Sequence, residues 1–372
     1  MKNLLGKSII SYTNSINIIV LYSHIIIASS YLHIYGRAAS LPNNGKAPAL
    51  LVFGDSIVDS GNNNYIATPG RVNFPPYGRD FEGGVATGRY SNGKVPSDLL
   101  AEEIGIKDLV PPYLDPSLQI NDLLTGVSFA SGTAGYDPQT SRAANAISLD
   151  DQLKLFREYI NKLKAAVGEN TTSSIISRSV YLVCAGSNDI TNTYLTARLQ
   201  KSRSNYFSSY TSSMVNWAST FVQELYNLGA RRIGVISAPP CGCLPSQRTF
   251  NGGLSRDCAQ EENQVSILYN TKLNSKLNSL NQLLTGSTIV YLDIYTSLLN
   301  LINNPSQSGF QVANRGCCGT GYLAVGILCT RFSIGTCPDA SKYVFFDSFH
   351  PTEAAYRIIV HDIVQKHHNL FF

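Results

Sequence analysis

The chain is 372 residues long, 44% apolar and 15% charged, with 29 basic and 25 acidic side chains. That length suits one large domain or two modest ones. A net charge of +4 with no basic cluster excludes a nucleic-acid-binding footprint. Lys2 and Lys7 precede an apolar stretch from Ile16 to Ala28, and small residues follow at Ala28-Ser29-Ser30 and at Ala38-Ala39-Ser40. This is the layout of a secretory signal peptide over residues 1–39, with two sets of small residues that suit cleavage. An uncleaved anchor is the alternative, and Ser23 and His24 interrupt the apolar run it would need. No later segment is long and apolar enough to span a bilayer, so the expectation is a secreted protein with no stable membrane insertion.

A polar linker, 40–48, leads into a single domain over 49–372. Ala49 to Phe53 reads as a buried strand, and Lys94 to Ile104 carries apolar residues at helical spacing behind Pro96. Gly126 to Ala130 is a second strand. Leu149 to Val167 is a helix, with Leu153, Phe156, Tyr159, Ile160 and Leu163 three to four residues apart. Strands follow at Val180–Ala185, Arg232–Ser237 and Thr288–Leu292. They alternate with helices at Tyr206–Leu228, Cys258–Leu284 and Glu353–Lys366, the first two stopped by Gly229 and Gly286. Five strands interleaved with helices imply an α/β fold whose mostly parallel sheet is covered on both faces. In such sheets ligands bind beyond the carboxyl ends of the strands. Ser56 falls just past the first strand and Asn188 just past the third.

Ser56 also begins the chemistry. A serine hydroxyl attacks a carbonyl only when a base takes its proton, and the base works best when a carboxylate holds its tautomer. Six histidines are present; His24 and His33 fall in the leader, and His367 and His368 in the terminal tail. His350 has an Asp close upstream, Asp347 in Phe346-Asp347-Ser348-Phe349-His350-Pro351, near enough to share one turn. An oxyanion needs donors as well. Gly186-Ser187-Asn188-Asp189 and Phe129-Ala130-Ser131-Gly132-Thr133-Ala134-Gly135 each run off a strand end. Singly, each is an ordinary turn; three at three strand ends beside an Asp–His pair point to acyl transfer. No G-x-S-x-G elbow, H-E-x-x-H, P-loop or EF-hand loop occurs.

Eight cysteines are present, seven of them in Gly/Pro-rich stretches from Cys241 onward, which suits disulfides in an oxidising compartment. Cys184, inside an apolar run, is expected to be a free core thiol. No C-x2-C pair or neighbouring ligand His is present, so no metal is expected. Asn170-Thr171-Thr172 is the one N-glycosylation sequon.

Taken together, the blocks resemble the plant GDSL esterase/lipase family of the SGNH hydrolase superfamily. They are Phe53-Gly54-Asp55-Ser56-Ile57-Val58-Asp59-Ser60-Gly61-Asn62-Asn63, Gly88-Arg89-Tyr90-Ser91-Asn92-Gly93-Lys94, Gly126 to Gly132, Gly186 to Asp189, and Asp347 to Thr352. The resemblance covers roughly Ala49 to Val364. It implies a three-layer α/β/α sandwich with a flavodoxin-like five-stranded sheet and no cofactor. It implies Ser56 as nucleophile, His350 as base and Asp347 orienting it, with an oxyanion hole from Ser56 N–H, Gly132 N–H and the Asn188 side chain. Three departures stand out: Ile57 for the motif's Leu, Ser128 before Phe-Ala-Ser where Asn is common, and Cys241 beside Cys243. The last leaves two candidates for Cys258, with Cys243 favoured, and Cys317 and Cys318 leave the partners of Cys329 and Cys337 open. The implied activity is hydrolysis of a small-molecule or lipid acyl ester through an acyl-enzyme. The alternatives are transfer of the acyl group to an alcohol at the same site, or a binding or defence protein without turnover. The sequence leaves oligomeric state and ester identity open.

Overall fold

Four five-residue runs form the parallel sheet: β1 (Leu50–Gly54) and β2 (Val180–Cys184), both wholly buried, then β3 (Arg232–Ile236) and the partly exposed edge strand β4 (Thr288–Leu292), in that spatial order. The register is continuous, from Leu50 beside Val180 to Ile236 beside Leu292. The computed structural model describes residues 47–194 and 206–372. The expected leader 1–39, and the linker 40–48 apart from Ala47 and Pro48, lie outside the described residues. The chain divides after Asn44, and the second unit, Gly45–Phe372, contains every element below.

The helices in chain order are α1 (Pro96–Glu103), α2 (Ile120–Thr125), α3 (Pro138–Ala143), α4 (Leu149–Val167), α5 (Glu169–Arg178), α6 (Tyr206–Asn227), α7 (Pro245–Asn251), α8 (Gln260–Leu283), α9 (Tyr295–Asn303), α10 (Glu353–Lys366) and α11 (His368–Phe371). Local chemistry sets their ends. Ser148 accepts from Asp151 N–H to open α4, Gly168 closes it at φ +80°, and Thr352 accepts from Ala355 N–H to open α10. Along α4, Leu153, Phe156, Tyr159 and Leu163 are buried while Ile160 is half-buried. The strands alternate between two apolar faces. Leu50, Val52, Leu182, Cys184 and Ile236 join a core with α1, α9 and α10. On the other face Phe53 meets Phe129, Phe156 and Phe221 with ring centroids 4.9, 5.4 and 5.6 Å away. Each such fully buried side chain is worth roughly 1.5–3 kcal/mol relative to exposure. The result is a three-layer α/β/α sandwich.

The expected strand at 126–130 is present in position but not as a ladder. Val52 N–H donates to Val127 O (3.1 Å) and Phe129 N–H to Val52 O (2.7 Å), yet Ser128 alone bridges to β1. Gly126, at φ +101°, brings the backbone so close to Leu50 that a Cβ would lie 2.0 Å from its carbonyl oxygen. On its far side Ser128 bonds Pro111 O rather than a further strand. Counting this segment second gives the spatial order 2-1-3-4-5 of a flavodoxin-like sheet. Its switch point lies between β1 and β2. A second, two-stranded parallel sheet, β5 (Val312–Gly316) with β6 (Tyr343–Phe345), was not expected. Its β6 leads straight into Asp347. Disulfides join Cys243 to Cys258, Cys317 to Cys337 and Cys318 to Cys329, while Cys184 and Cys241 are free and buried.

Candidate active site

The switch point is where Ser56 and Asn188 emerge. Gly54 ends β1 at φ +135°, and a Cβ there would fall 1.8 Å from Cys184 O, so only glycine lets the chain turn this tightly against β2. Gln152 of α4 grips that peptide: Gly54 N–H donates to its Oε1 (2.8 Å) and its Nε2 donates to Gly54 O (2.9 Å). Asp55 then accepts from Ile57 N–H on one oxygen (3.0 Å) and from Ser187 Oγ on the other (3.0 Å). It therefore ties the loop after β1 to the loop after β2. Burial pushes the Asp55 carboxyl up to about 7, against the pull of those two hydrogen bonds.

His350 Nε2 lies 2.8 Å from Ser56 Oγ, and His350 Nδ1 lies 2.8 Å from Asp347 Oδ2. An ionised carboxylate only accepts, so Nδ1 carries the ring proton and Nε2 is free to accept from the serine hydroxyl. The three residues expected from the sequence thus meet, although Ser56 and His350 are 294 positions apart. Asp347 is fully buried and accepts from Phe349 N–H (2.8 Å), His350 N–H (2.7 Å) and Tyr77 Oη (2.8 Å) besides the imidazole. Tyr77 in turn accepts from Gly326 N–H (2.8 Å). Tyr90 packs on the imidazole with ring centroids 4.9 Å apart. The 347–353 loop is clamped from outside. Ser91 Oγ donates to Pro351 O (3.0 Å), Glu353 N–H donates to Asn92 Oδ1 (3.0 Å), and Lys94 N–H donates to Glu353 Oε2 (2.9 Å).

On the other side of Ser56 the expected donors behave differently. Ser56 N–H has no partner among the described residues. The Asn188 amide donates once, to Ala134 O (3.0 Å), and its second hydrogen has none there either. Gly132 N–H is already engaged, donating to Asp59 Oδ2 at 2.9 Å. Asp59 is fully buried and gathers Gly61, Asn62 and Gly132 N–H groups, which oppose the burial that raises it to about 6. Beside this, Asn63 Nδ2 donates to Gly132 O (3.1 Å), and a Cβ on Gly132 would lie 2.0 Å from Tyr90 Oη. Gly132 is therefore held on two sides.

A model of the GDSL-like lipase/acylhydrolase family matches residues 50–363. The chain belongs to that family. Family membership carries the enzyme class with it, a carboxylic ester hydrolase. Curated relatives in Arabidopsis thaliana agree. GDSL esterase/lipase EXL3 is 51% identical over 335 residues, 90% of this chain and 91% of that protein. GDSL esterase/lipase At5g42170 is 49% identical over 86% of each chain, and GDSL esterase/lipase EXL2 is 50% identical over 86% of this chain and 87% of its own.

Within the GDSL domain, Ser56, Asn188 and His350 open onto a cavity of about 630 Å³, counting the part open to solvent. Its walls are apolar: Ile236 and Leu244 at the β3 end, Leu298 from α9, and Ile359 and Ile363 from α10. No cluster able to hold a metal ion occurs among the described residues. Of the departures from the family pattern, Ser128 donates its hydroxyl to Val58 O at 3.1 Å, so it still ties this segment to the first block. Asn170 is exposed in the first turn of α5. Sequence reasoning gave no role to Asp55, Asp59, Tyr77, Tyr90 or Gln152. Asp55, Asp59 and Tyr90 lie inside the motifs at 53–63 and 88–94, whereas nothing local marks Tyr77 or Gln152.

Proposed function

We propose that this GDSL hydrolase cleaves acyl esters through an acyl-enzyme on Ser56. As Ser56 Oγ bonds to the ester carbonyl carbon, its proton passes to His350 Nε2 and the carbonyl π pair moves onto oxygen. Ser56 N–H and the spare Asn188 amide hydrogen meet that oxygen; Gly132 N–H joins them only by sharing its proton with Asp59. Collapse expels the alcohol oxygen, which takes the proton from His350. Water then repeats the sequence and frees the acid. Asp347 keeps Nδ1 protonated and stabilises the imidazolium formed in each half.

The observation that carries this reading is the 2.8 Å contact of His350 Nε2 with Ser56 Oγ at the mouth of an apolar cavity. The cavity supports an aliphatic or aromatic acyl ester rather than a charged one. Secretion is part of the proposal. Three disulfides support it, and the described residues include no helix long and apolar enough to cross a membrane. Residues 1–39 would then be removed, 49–372 would act as one domain, and the exposed Asn170 would carry a glycan, seen as an endoglycosidase-sensitive mass lost in Asn170→Gln.

The test is hydrolysis of short- and long-chain p-nitrophenyl esters by the secreted protein beside its Ser56→Ala variant. Turnover in the wild type alone supports the proposal; equal turnover in both overturns it. Product analysis with added alcohols separates hydrolysis from acyl transfer.

A further inference from the structure

Two loops carry the most exposed large apolar side chains near the site. Phe250 and Leu254 lie at and beyond the end of α7, and Ile327, Leu328, Phe332 and Ile334 lie between β5 and β6. All six are 62–107% exposed. Ordinary surfaces scatter such residues singly, but these two loops are one structure. Thr249 Oγ1 donates to Tyr322 O (3.3 Å), and the Arg256 guanidinium lies 3.9 Å over the Tyr322 ring and donates to Asn314 O (3.2 Å). Cys317–Cys337 and Cys318–Cys329 staple the second loop. Both loops are anchored at Ser348: Ser246 N–H donates to its carbonyl (3.0 Å) and Ser348 N–H donates to Ala324 O (2.9 Å). The next two residues, Phe349 and His350, line the acyl cavity.

Charge on these loops has one sign. From Ala238 to Arg256 there is no Asp or Glu, only Arg248 and Arg256; from Gln311 to Pro338 there is none, only Arg315 and Arg331. Acids reappear at the borders, at Asp257 and Asp339. Arg248 and Arg256 bond backbone carbonyls rather than carboxylates. Arg331 lies 4.9 Å over the Phe332 ring, holding a cation beside a projecting aromatic. Projecting apolar tips among guanidiniums, with no acid inside either loop, match a surface with anionic headgroups above hydrocarbon.

We propose that this face docks the enzyme peripherally on an anionic lipid surface, bringing the cavity mouth to esters held there. Docking stands apart from turnover, so it is tested on the secreted Ser56→Ala protein, whose binding does not depend on the ester-hydrolase reading. Co-sedimentation with phosphatidylglycerol vesicles is compared with phosphatidylcholine vesicles. Partitioning should favour phosphatidylglycerol, weaken with salt, and fall about tenfold in Phe332→Ser/Ile334→Ser, with a smaller fall in Arg331→Gln. Because these side chains are exposed, the same changes on the Ser56 background should leave hydrolysis of soluble p-nitrophenyl acetate within about twofold of wild type. Absence of vesicle binding, or binding unchanged by these substitutions, overturns the proposal. So does self-association abolished by Phe332→Ser/Ile334→Ser, which would assign the face to a second copy of the chain.

Discussion

On the His350 side of the site, Asp347 accepts two backbone N–H groups, a tyrosine hydroxyl and the imidazole, and the loop that carries it is clamped at Ser91, Asn92 and Lys94. On the opposite side of Ser56, two donors, Ser56 N–H and one Asn188 hydrogen, have no partner among the described residues. Under the proposed mechanism the contrast separates two physical tasks. Groups that hold a base in one tautomer gain from being saturated. Groups that meet charge appearing only in a transition state must be fixed yet unoccupied, so that no bond is lost when the charge arrives. The Asp59 contact puts Gly132 between the two conditions.

The largest effect should come from breaking both sides at their junction. Ser56→Ala and His350→Ala should each lower kcat by about four or more orders of magnitude, and the double variant should lose little more, because the pair acts as a unit. Additive losses in steady-state kinetics would separate the two residues. Removing one unfilled donor with Asn188→Ala should cost about 10²–10³ in kcat with little change in KM. A loss confined to KM would move Asn188 from the oxyanion to substrate binding. On the saturated side, Tyr77→Phe removes one of several donors to Asp347 and the acceptor of Gly326 N–H. It should lower kcat by about tenfold and stability by about 1–2 kcal/mol, measured by denaturant unfolding.

The smallest effect concerns the carboxyls beneath the oxyanion side. Burial raises Asp55 to about 7 and Asp59 and Asp189 to about 6, from a usual 3.8. Between those values the folded chain holds protons that the unfolded chain has released. Their contribution to stability is therefore complete below about pH 4 and lost as pH rises through 6 to 7. The thermal midpoint of Ser56→Ala should fall by about 2 °C or more between pH 5 and pH 8, and Asp55→Asn should flatten that slope. A midpoint rising over this range would show that these groups are ionised in the fold.

Much of this was legible in the sequence for identifiable reasons. The four ladder strands are short, mostly apolar runs, with Arg232 and Thr288 only at the first positions of β3 and β4, and Ser56, Asp347 and His350 announce themselves by residue type and order. The segment at 126–130 has the same composition, but Gly126 and the Pro111 contact limit its pairing, which composition does not encode. β5 was missed because Val-Ala-Asn-Arg-Gly shows two adjacent exposed polar residues rather than alternation. The supporting residues were hidden by distance. Gln152 acts 98 positions from Gly54 and Tyr77 acts 270 positions from Asp347, so no local window contains both partners. Asp59's grip on Gly132 depends on a close approach that only the assembled fold creates.

The long separation of Ser56 from His350 also has a consequence during synthesis. Translation delivers the serine first and reaches its base 294 residues later. Until β6 and the loop after it emerge and dock, the nascent polypeptide carries a hydroxyl with nothing to take its proton. On the proposed mechanism, ester cleavage therefore waits for the last part of the chain, and a polypeptide that stops short of β6 would have a serine but no turnover.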